Sequence, residues 1–234
     1  MHRVVETELL DDLPKGDLRA IGSRADLRRL NLVMGHAGIL WRGFRTQFRE
    51  TPCRLRPLRL VELGAGDGTF LLRLARRLVV LGVTAEVTLI DRQKLVSAET
   101  HRAFAALNWS VKSATMDVFT WLEQGGPPVE VILVNLFLHH FPDKLLGALL
   151  RLAAAKTNLF IACEPRRAPL ALNASRLLWL LACNRITRHD AVVSVRAGFA
   201  GRELSALWPA DDKWQLREHS AGLFSHCFVA KRNG

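Results

Sequence analysis

The sequence lacks tyrosine altogether, and phenylalanine and tryptophan bring its aromatic content to only 7% of 234 residues. Contacts with the ring of a ligand must therefore come from those two residue types or from aliphatic side chains. No apolar run reaches the roughly 18–20 residues that a membrane-spanning helix requires. The opening residues 1–6 have no signal-peptide pattern, so we expect a cytoplasmic protein.

Cysteines are also few, and none of them forms a CxxC pair. Widely separated cysteines predict free, buried thiols in a reducing compartment rather than a disulfide framework. No cluster of potential ligands has the spacing of a zinc site, so the sequence predicts no metal. The four cysteines are Cys53, Cys163, Cys183 and Cys227.

Acidic residues are outnumbered by basic ones, 22 against 33, which gives a formal net charge of +11. A positive field of this size attracts nucleic acid, anionic lipid or an acidic protein. The basic residues are nevertheless dispersed as short pairs, such as Arg28-Arg29 and Arg76-Arg77, rather than gathered in one tract. This dispersal favours a solvated surface, with binding to a polyanion as the alternative.

The first part of the chain, residues 1–56, is predicted to be an N-terminal helical segment. Leu27, Leu30 and Met34 recur at helical spacing, and Asp26 or Ser23 is in position to cap the helix. Residues 57–234 are predicted to form one Rossmann-like domain, in which a helical cap is inserted at about residues 165–210. Pro52 and Pro57 mark the entry loop between the two parts.

Short apolar strands alternate with amphipathic helices in the second part of the chain. Strands that are apolar on both faces predict a parallel sheet covered by helices on both sides, and right-handed crossovers make it doubly wound. We therefore predict an α/β fold with a mostly parallel, seven-stranded sheet whose last strand is antiparallel. The predicted strands cover residues 58–63, 86–91, 109–115, 129–136, 158–164, 213–219 and 223–231. The predicted helices between them cover residues 70–81, 94–107 and 143–155.

A glycine loop follows the first predicted strand and reads VELGAGDGT at residues 61–69. Its glycines are spaced GxGxG, whereas a loop that binds the pyrophosphate of NAD or FAD needs GxGxxG. Glu62 precedes the first glycine, and its negative charge repels a pyrophosphate. The same charge suits S-adenosylmethionine, which carries a sulfonium and an α-ammonium. The loop therefore favours S-adenosylmethionine over a dinucleotide.

Two acidic residues mark the ends of the next strands. Asp91 closes the second predicted strand, where a carboxylate can accept both ribose hydroxyls of a nucleoside; the alternatives are a solvated loop residue or a helix cap. Asp117 is placed to meet the adenine amine, with the apolar Val118 against the ring. The alternative role for Asp117 is that of an N-cap for the following helix.

Taken together, these motifs resemble the class I S-adenosylmethionine-dependent methyltransferase family. The resemblance covers residues 58–165 and rests on the glycine loop, Asp91, the Met116-Asp117-Val118 step and the NLFLHHF segment at residues 135–141. It implies S-adenosylmethionine as the cofactor. The cofactor contacts that it implies are Glu62, Gly64, Ala65, Gly66, Asp91, Arg92, Asp117, Val118 and Asn135.

A narrower resemblance extends beyond the cofactor motifs. DLRRLN at residues 26–31, LFLHH at residues 136–140, TRHD at residues 187–190 and SVRAGF at residues 194–199 are similar to segments of bacterial small-molecule methyltransferases. Many of those proteins are associated with quinol methylation. This resemblance implies O-methylation, with C-methylation as the alternative, of a phenolic or quinol-like compound.

Methyl transfer to a hydroxyl requires a base, because a phenol keeps its proton up to a pKa of about 10. His139 and His140 follow the fourth strand and so lie at the edge of the sheet where ligands bind. His189 and, more weakly, His226 are further candidates, and Glu164 at the end of the fifth strand is a candidate base or substrate anchor. For each of them a packing, capping or ion-pairing role is the alternative, and at most one of the adjacent pair should face the acceptor.

The predicted cap is apolar nearly all round at residues 167–185, with six leucines and a tryptophan. A helix over the acceptor pocket with this composition predicts a small hydrophobic acceptor; a core helix or a homodimer interface is the alternative. Four flanking arginines also allow contact with a membrane surface. They are Arg166, Arg167, Arg176 and Arg185.

Two other functions compete with small-molecule methylation. The positive charge is compatible with a nucleic-acid methyltransferase, but residues 135–138 read NLFL and lack the proline and stacking aromatic of an NPPY-type motif. A cofactor-binding partner subunit without catalytic activity is the second alternative. The glycine loop does not distinguish this subunit from an active enzyme.

Overall fold

The computed structural model describes residues 1–48, 56–124 and 126–233. The strands are β1 (Leu58–Leu63), β2 (Ala85–Asp91), β3 (Ser110–Thr115), β4 (Val129–Asn135), β5 (Thr157–Pro165), β6 (Trp214–Ala221) and β7 (Ser225–Arg232). The helices are α1 (Leu18–Val33), α2 (His36–Phe48), α3 (Thr69–Val79), α4 (Ala98–Ala105), α5 (Val118–Glu123), α6 (Asp143–Lys156), α7 (Pro169–Arg176), α8 (Arg185–Ala197) and α9 (Glu203–Leu207). Two 3-10 turns cover Leu138–His140 and Leu178–Leu181.

The strands form one seven-stranded sheet in the order β3-β2-β1-β4-β5-β7-β6. Parallel ladders join β3, β2, β1, β4 and β5, whereas β7 is antiparallel to both of its neighbours. This confirms the predicted doubly wound sheet with an antiparallel last strand. The chain reverses its direction of winding between β1 and β4, and ligands of such sheets bind in the crevice at this switch point, outside the carboxyl ends of the strands.

Two apolar cores, one on each face, hold the sheet. Alternate residues of a strand point to opposite faces, so that Leu60 of β1 belongs to one core and Val61 to the other. The first core includes α3, whose apolar residues are buried as the sequence predicts, while Arg76 and Arg77 are exposed. Burial on both faces fixes the position of β1 and therefore of the glycine loop that follows it.

The start of α1 differs from the sequence prediction. Asp17 caps the helix by accepting a hydrogen bond from the Arg19 amide at 2.8 Å, so Asp26 and Ser23 are not the cap. Both lie buried within the helix and bond to the hydroxyl of Thr187 on α8, at 3.0 and 2.8 Å. The prediction was wrong because the partner of these polar groups is more than 160 residues away in the chain, and no local sequence pattern indicates such a contact.

The inserted cap leaves the sheet at the end of β5 and returns to the same place. The Arg167 amide donates to the Phe199 carbonyl at 2.9 Å, and the Phe199 amide donates to the Pro165 carbonyl at 2.9 Å. Within the cap, the single apolar helix predicted for residues 167–185 is wrong. The helix α7 ends at Arg176, a 3-10 turn follows, and Ala182 has a φ of +53°. The apolar side chains of this segment are largely exposed, so no packed helix face holds it in one continuous helix.

Two further predictions concern the cysteines and membrane insertion. Cys163, Cys183 and Cys227 are free and buried, as predicted; Cys53 and the predicted entry loop at Pro52 lie outside the described residues. None of the helices in the described ranges is long and apolar enough to cross a membrane.

Candidate active site

A large cavity opens at the carboxyl ends of the parallel strands. Its volume is about 1260 Å³, which exceeds the roughly 300–1,000 Å³ of a site for one small ligand. The loops after β1, β2 and β4 form its floor, α1 forms one wall, and the cap and residues 5–12 cover it. The cavity therefore has room for a cofactor above the strand ends and for a second molecule beneath the cap.

The glycine loop after β1 lies on the floor of this cavity in a conformation that requires glycine. Gly64 and Gly66 have φ values of +69° and +56°. A Cβ on Gly64 would lie 2.4 Å from the ring of Phe137, whereas a Cβ on Gly66 would meet no atom within 4 Å. Gly66, which lines the cavity together with Ala65, thus presents bare backbone to the space that a ligand would fill.

Two buried oxygen atoms beside this loop have no hydrogen-bond donor among the described residues. They are Oε2 of Glu62 and Oδ1 of Asn135, at the ends of the neighbouring strands β1 and β4. Both residues line the cavity. Burial, reinforced by the negative charges of Asp67 and Asp91, raises the pKa of Glu62 well above its ordinary value. Since buried acceptors without donors are costly, this corner of the cavity suits a ligand group with several N–H donors and a positive charge.

The amide group of Asn135 is oriented by a chain of polar contacts from α1. Its Nδ2 donates to Oδ1 of Asn31 at 3.0 Å, and the same oxygen lies 2.7 Å from Nδ1 of His36. Burial lowers the pKa of His36 to about 4, so this imidazole is neutral. Because Asn31 occupies the amide nitrogen, Oδ1 of Asn135 is the atom left for a ligand.

Asp91 combines a structural role with a position on the cavity. One carboxylate oxygen accepts a hydrogen bond from the Gly66 amide and the other accepts one from the Gln93 amide, both at 2.8 Å. Asp91 and Arg92 both line the cavity. The carboxylate thus holds the glycine loop in place, and each oxygen keeps a second lone pair for a ligand. The ribose contact of Asp91 stays a prediction.

Asp117 lies at the rim of the cavity, next to the buried Val118. Its side chain accepts a hydrogen bond from the Phe119 amide at 2.8 Å and so caps α5. The alternative role given by the sequence is therefore correct. It does not exclude an adenine contact, because only one carboxylate oxygen is used and the residue is exposed.

The two histidines after β4 have different surroundings, although they are adjacent in the chain. The ring of His139 is buried between two carboxylates, with Nδ1 at 2.7 Å from Glu164 and Nε2 at 3.2 Å from Glu8. Burial alone would lower the pKa of His139, but the bonds to Glu164 and Glu8 raise it to about 9. His139 is therefore a charged, fixed group at neutral pH.

Glu164 also organises the turn that carries both histidines. Its Oε1 accepts hydrogen bonds from the amides of Phe137 and Leu138, at 3.0 and 2.9 Å. Burial would raise the pKa of Glu164, but its bond to His139 and these amides lower it, so the carboxylate stays ionised. The side chain is fully buried and is not one of the residues lining the cavity. The structure thus places Glu164 behind the site and not in contact with an acceptor.

His140 lines the cavity and, unlike His139, keeps part of its ring exposed. Its Nδ1 lies 2.9 Å from the Phe137 carbonyl, to which it donates a hydrogen bond. This contact assigns the proton of a neutral ring to Nδ1 and leaves the lone pair on Nε2. The Nε2 atom lies 3.5 Å from Glu8 and 3.8 Å from Asp11. Nδ1 is therefore held by the backbone, and Nε2 is the nitrogen on the side of the Glu8 and Asp11 carboxylates.

The other two candidate histidines lie away from the cavity. His189 on α8 is about half exposed, and its Nδ1 lies 3.0 Å from Asp190, as in the ion-pair alternative. His226 on β7 is buried, with its Nε2 at 2.8 Å from Glu218. Neither is among the residues that line the cavity, so the structure does not bring them to the acceptor side.

The N-terminal strap, which we define as residues 1–12, was not predicted from the sequence. Arg3 donates to the Phe141 carbonyl at 2.9 Å, the amides of Leu9 and Leu10 donate to the carboxylate of Asp190, and Glu8 bonds to His139 and to the Ser194 hydroxyl. Residues 5–8 and 10–12 line the cavity. The strap has no regular secondary structure and no motif, so its sequence carries no signal for this position.

One cluster in the site has the composition of a metal site. Glu8, His139 and His140 offer ligand atoms within 4.8 Å of one another. The raised pKa of His139 keeps both its ring nitrogens protonated at neutral pH, and a protonated nitrogen donates to Glu8 instead of binding a metal. Glu8 and His139 are therefore held as an ion pair. The absence of a metal stays a prediction.

Comparison with known proteins gives a match in fold but not in sequence. No family profile and no curated protein matches this sequence. The plantazolicin methyltransferase BamL, solved with a triazolic desmethyl-plantazolicin analogue and S-adenosylhomocysteine (SAH), matches with a TM-score of 0.65 at 11% identity, over 96% of this chain and 93% of that one. The magnesium protoporphyrin IX methyltransferase of Synechocystis PCC 6803, solved with SAH, matches with a TM-score of 0.55 at 14% identity, over 96% and 91%.

A third similar structure is longer than this chain. It is an O-methyltransferase family protein from Burkholderia thailandensis, with a TM-score of 0.53 at 16% identity. The match covers 82% of this chain but only 56% of that protein, so this chain spans little more than half of its length. Similarity at these identities shows the fold alone, which this chain shares with these methyltransferases.

Proposed function

We propose that this chain, which has the class I methyltransferase fold, is an S-adenosylmethionine-dependent methyltransferase of a small hydrophobic acceptor. The observation that carries the proposal is the pair of buried acceptors without donors, Glu62 Oε2 and Asn135 Oδ1, beside the open face of Gly66. An α-ammonium has three N–H donors and a positive charge. It therefore satisfies both atoms and stabilises the ionised form of Glu62.

The remaining floor of the cavity fits the rest of S-adenosylmethionine. The free lone pairs of Asp91 are suited to the ribose hydroxyls, and Asp117 with Val118 is suited to the adenine amine and ring. Gly64, Ala65 and Arg92 complete the expected contacts. When bound, the cofactor supplies a methyl group that is electrophilic because it is attached to a sulfonium.

The residues of this chain have three tasks in the reaction. The cavity must hold the acceptor in line with the methyl group and exclude water. His140 takes the proton of the acceptor hydroxyl on Nε2 as the oxygen–carbon bond forms. Glu164 and His139 are positioning residues, because their hydrogen bonds fix the turn that carries His140.

The acceptor is proposed to be phenolic or quinol-like, with its oxygen as the methylated atom. The upper cavity is bounded by Leu27, Leu30 and Met34 of α1 on one side and by leucines of the cap on the other. Such walls bind an apolar ring system and offer few polar contacts. The oxygen then finds its polar partner at the turn that follows β4, where His140 lies.

The competing functions receive less support from the site. Strap and cap cover the cavity, whereas a base extruded from a nucleic acid needs an open approach to the pocket. Nucleic-acid methylation is therefore not favoured. A non-catalytic partner subunit would have no need of a histidine such as His140 in the wall of the cavity.

The proposal is tested by incubating the purified chain with S-adenosylmethionine labelled in the methyl group and with a panel of alkyl phenols and quinols. We expect the label in an ether product and SAH as co-product. Structured RNA in a parallel reaction tests the alternative substrate, and labelling of RNA alone would overturn the acceptor class. Binding of the cofactor without transfer to any acceptor would support the non-catalytic subunit. A homodimer through the cap stays an alternative, which sedimentation tests. A cytoplasmic location is a further prediction, which cell fractionation tests.

A further inference from the structure

We propose that the cap of this protein docks on the surface of an anionic membrane, and that a lipophilic acceptor enters the cavity from the bilayer through this contact. The docking surface consists of residues 170–181 and the first turn of α1. The inference about the acceptor rests on the proposed function, whereas the docking itself does not.

The first observation is a concentration of exposed apolar side chains in the cap. Leu170, Leu177, Trp179, Leu180 and Leu181 are each exposed by 48–62%. Soluble surfaces rarely expose so many large apolar groups within a dozen residues without a binding partner. Tryptophan in particular prefers the interface between headgroups and acyl chains.

The backbone of this segment is suited to a shallow position in the headgroup region. Amides of the 3-10 turn and of the residues after it donate to carbonyls within the segment: Leu180 to Leu177, Ala182 to Trp179 and Cys183 to Leu178, at 3.3 Å or less. When the polar backbone groups of a segment are hydrogen-bonded to one another, removing water from the segment costs little free energy. The side chains can thus enter the interface without exposing unpaired amides.

The second observation is the charge around the apolar segment. Between residues 166 and 202 there are seven arginines but only one acidic residue, Asp190, which is buried and bonded to the strap. Arg176, Arg185 and Arg188 are exposed, and no ion pair is found for them within the described ranges. Exposed arginines beside an apolar patch favour anionic headgroups. They also disfavour self-association through this face, because two copies would bring like charges together.

Arg166 and Arg167 do not belong to this charged rim. Arg167 is buried and paired with Glu203, and it donates to the Gly198 carbonyl at 3.1 Å. Arg166 is only partly exposed and bonds through its amide to the Phe224 carbonyl at 2.8 Å. Of the four flanking arginines expected from the sequence, Arg176 and Arg185 are therefore the two that are exposed.

The third observation is that the apolar surface is continuous with the cavity. Leu177, Leu180 and Leu181 are about half exposed and also line the cavity. The side chain of Asn184 donates to the Arg19 carbonyl at 3.1 Å and so joins the end of the cap to the first turn of α1. That turn carries Leu18 and Ile21, exposed by 84% and 47%. A molecule dissolved in the bilayer can thus pass along leucine side chains into the cavity.

The test is co-sedimentation of the full chain with vesicles of phosphatidylcholine, with and without phosphatidylglycerol. We expect binding to the anionic vesicles that decreases with added salt. Trp179→Ser combined with Leu170→Ser should reduce the partition coefficient about tenfold, and Arg185→Glu by a similar factor. Neither Trp179 nor Leu170 lines the cavity, so methylation of a short, water-soluble phenol should be unchanged in the double variant.

The matched controls are Leu223→Ser, which removes a leucine of similar exposure (60%) on the turn between β6 and β7, and Arg76→Glu on α3. Both should bind vesicles like the unmodified chain. No binding to anionic vesicles, or an equal loss in the cap and control variants, would overturn the docking and leave an acidic protein as the occupant of this surface. Failure of methyl transfer with normal vesicle binding would instead overturn the proposed function.

Discussion

The imidazole of His139 and the carboxylate of Glu164 form a buried ion pair, with 2.7 Å between Nδ1 and Oε2. The pair joins the turn after β4 to the end of β5, and Glu8 extends it to the N-terminal strap at 3.2 Å. Because three separate parts of the chain meet on one ring, this contact couples the position of the proposed base, His140, to the stability of the fold.

The charge of His139 makes stability depend on pH. The pKa of His139 is raised from an ordinary 6.5 to about 9 in the folded chain. Its stabilising effect is therefore complete below pH 6.5 and is lost as the pH rises to 9. We expect the free energy of unfolding in urea to fall by at most about 3 kcal/mol over this interval.

Three variants test whether the pH dependence of the free energy of unfolding comes from His139. Glu8→Gln removes one of the two carboxylates bonded to His139, so the decrease in the free energy of unfolding should end at a lower pH. A folded His139→Asn variant should not show this decrease. The control is His219→Gln, which replaces an exposed histidine on β6 and should keep the slope. An unchanged pH profile in Glu8→Gln would contradict the assignment.

The conformation of Gly66 predicts a selective loss of cofactor binding. Gly66→Ala places a methyl group in the space assigned to the cofactor, so we expect affinity for SAH to fall at least about tenfold. Gly82→Ala is the matched control: its φ is +71°, and a Cβ there also meets nothing within 4 Å, but Gly82 does not line the cavity. Both variants should lose a similar amount of stability, about 1 kcal/mol or more, because alanine is strained at a positive φ. Equal SAH affinity in the two would refute the placement of the cofactor.

The raised pKa of Glu62 predicts that cofactor binding releases a proton. Without a ligand, burial and the nearby Asp67 and Asp91 favour the protonated acid; an ammonium beside it favours the carboxylate. Affinity for SAH should therefore increase with pH as long as its α-ammonium stays protonated, up to about pH 8, and the heat of binding should vary with the ionisation enthalpy of the buffer. Glu62→Gln should bind more weakly and without either dependence. A proton release that persists in Glu62→Gln would assign the effect to another group.

The two histidine roles can be distinguished by kinetics. His140→Gln should lower kcat for a phenolic acceptor about 100-fold or more and leave affinity for SAH nearly unchanged, because His140 is not among the expected cofactor contacts. His189→Gln serves as the control, since His189 is about half exposed and does not line the cavity. Equal activity of the two variants would remove His140 as the base. In His140→Gln, a more acidic phenol should recover part of the lost rate.

Much of the fold could be predicted from the sequence, because its signals are local. The apolar run of β1 and the amphipathic pattern of α3 follow from burial on one or both sides of an element. The positions of Glu62 and Asp91 near strand ends made them candidate cofactor contacts, since parallel strands end at one edge of the sheet, and the family resemblance added Asn135. All three line the cavity.

The acceptor side could not be predicted to the same extent, because it is built from contacts between distant residues. Glu8 meets His139 across 131 positions, and Asp26 meets Asn184 across 158. No periodic pattern in the sequence indicates contacts between residues so far apart in the chain. For the same reason the sequence could not distinguish His140 from His189, or assign Glu164 to the support of the turn.

The central claim is that the cavity binds S-adenosylmethionine, and isothermal titration of the purified chain with SAH tests it most directly. We expect a dissociation constant in the micromolar range, no binding of NAD, and at least about tenfold weaker SAH binding by Asp91→Ala, whose fold is checked by circular dichroism. Absence of SAH binding by the unmodified, folded chain would contradict the account, and binding of NAD in its place would assign the glycine loop to a dinucleotide.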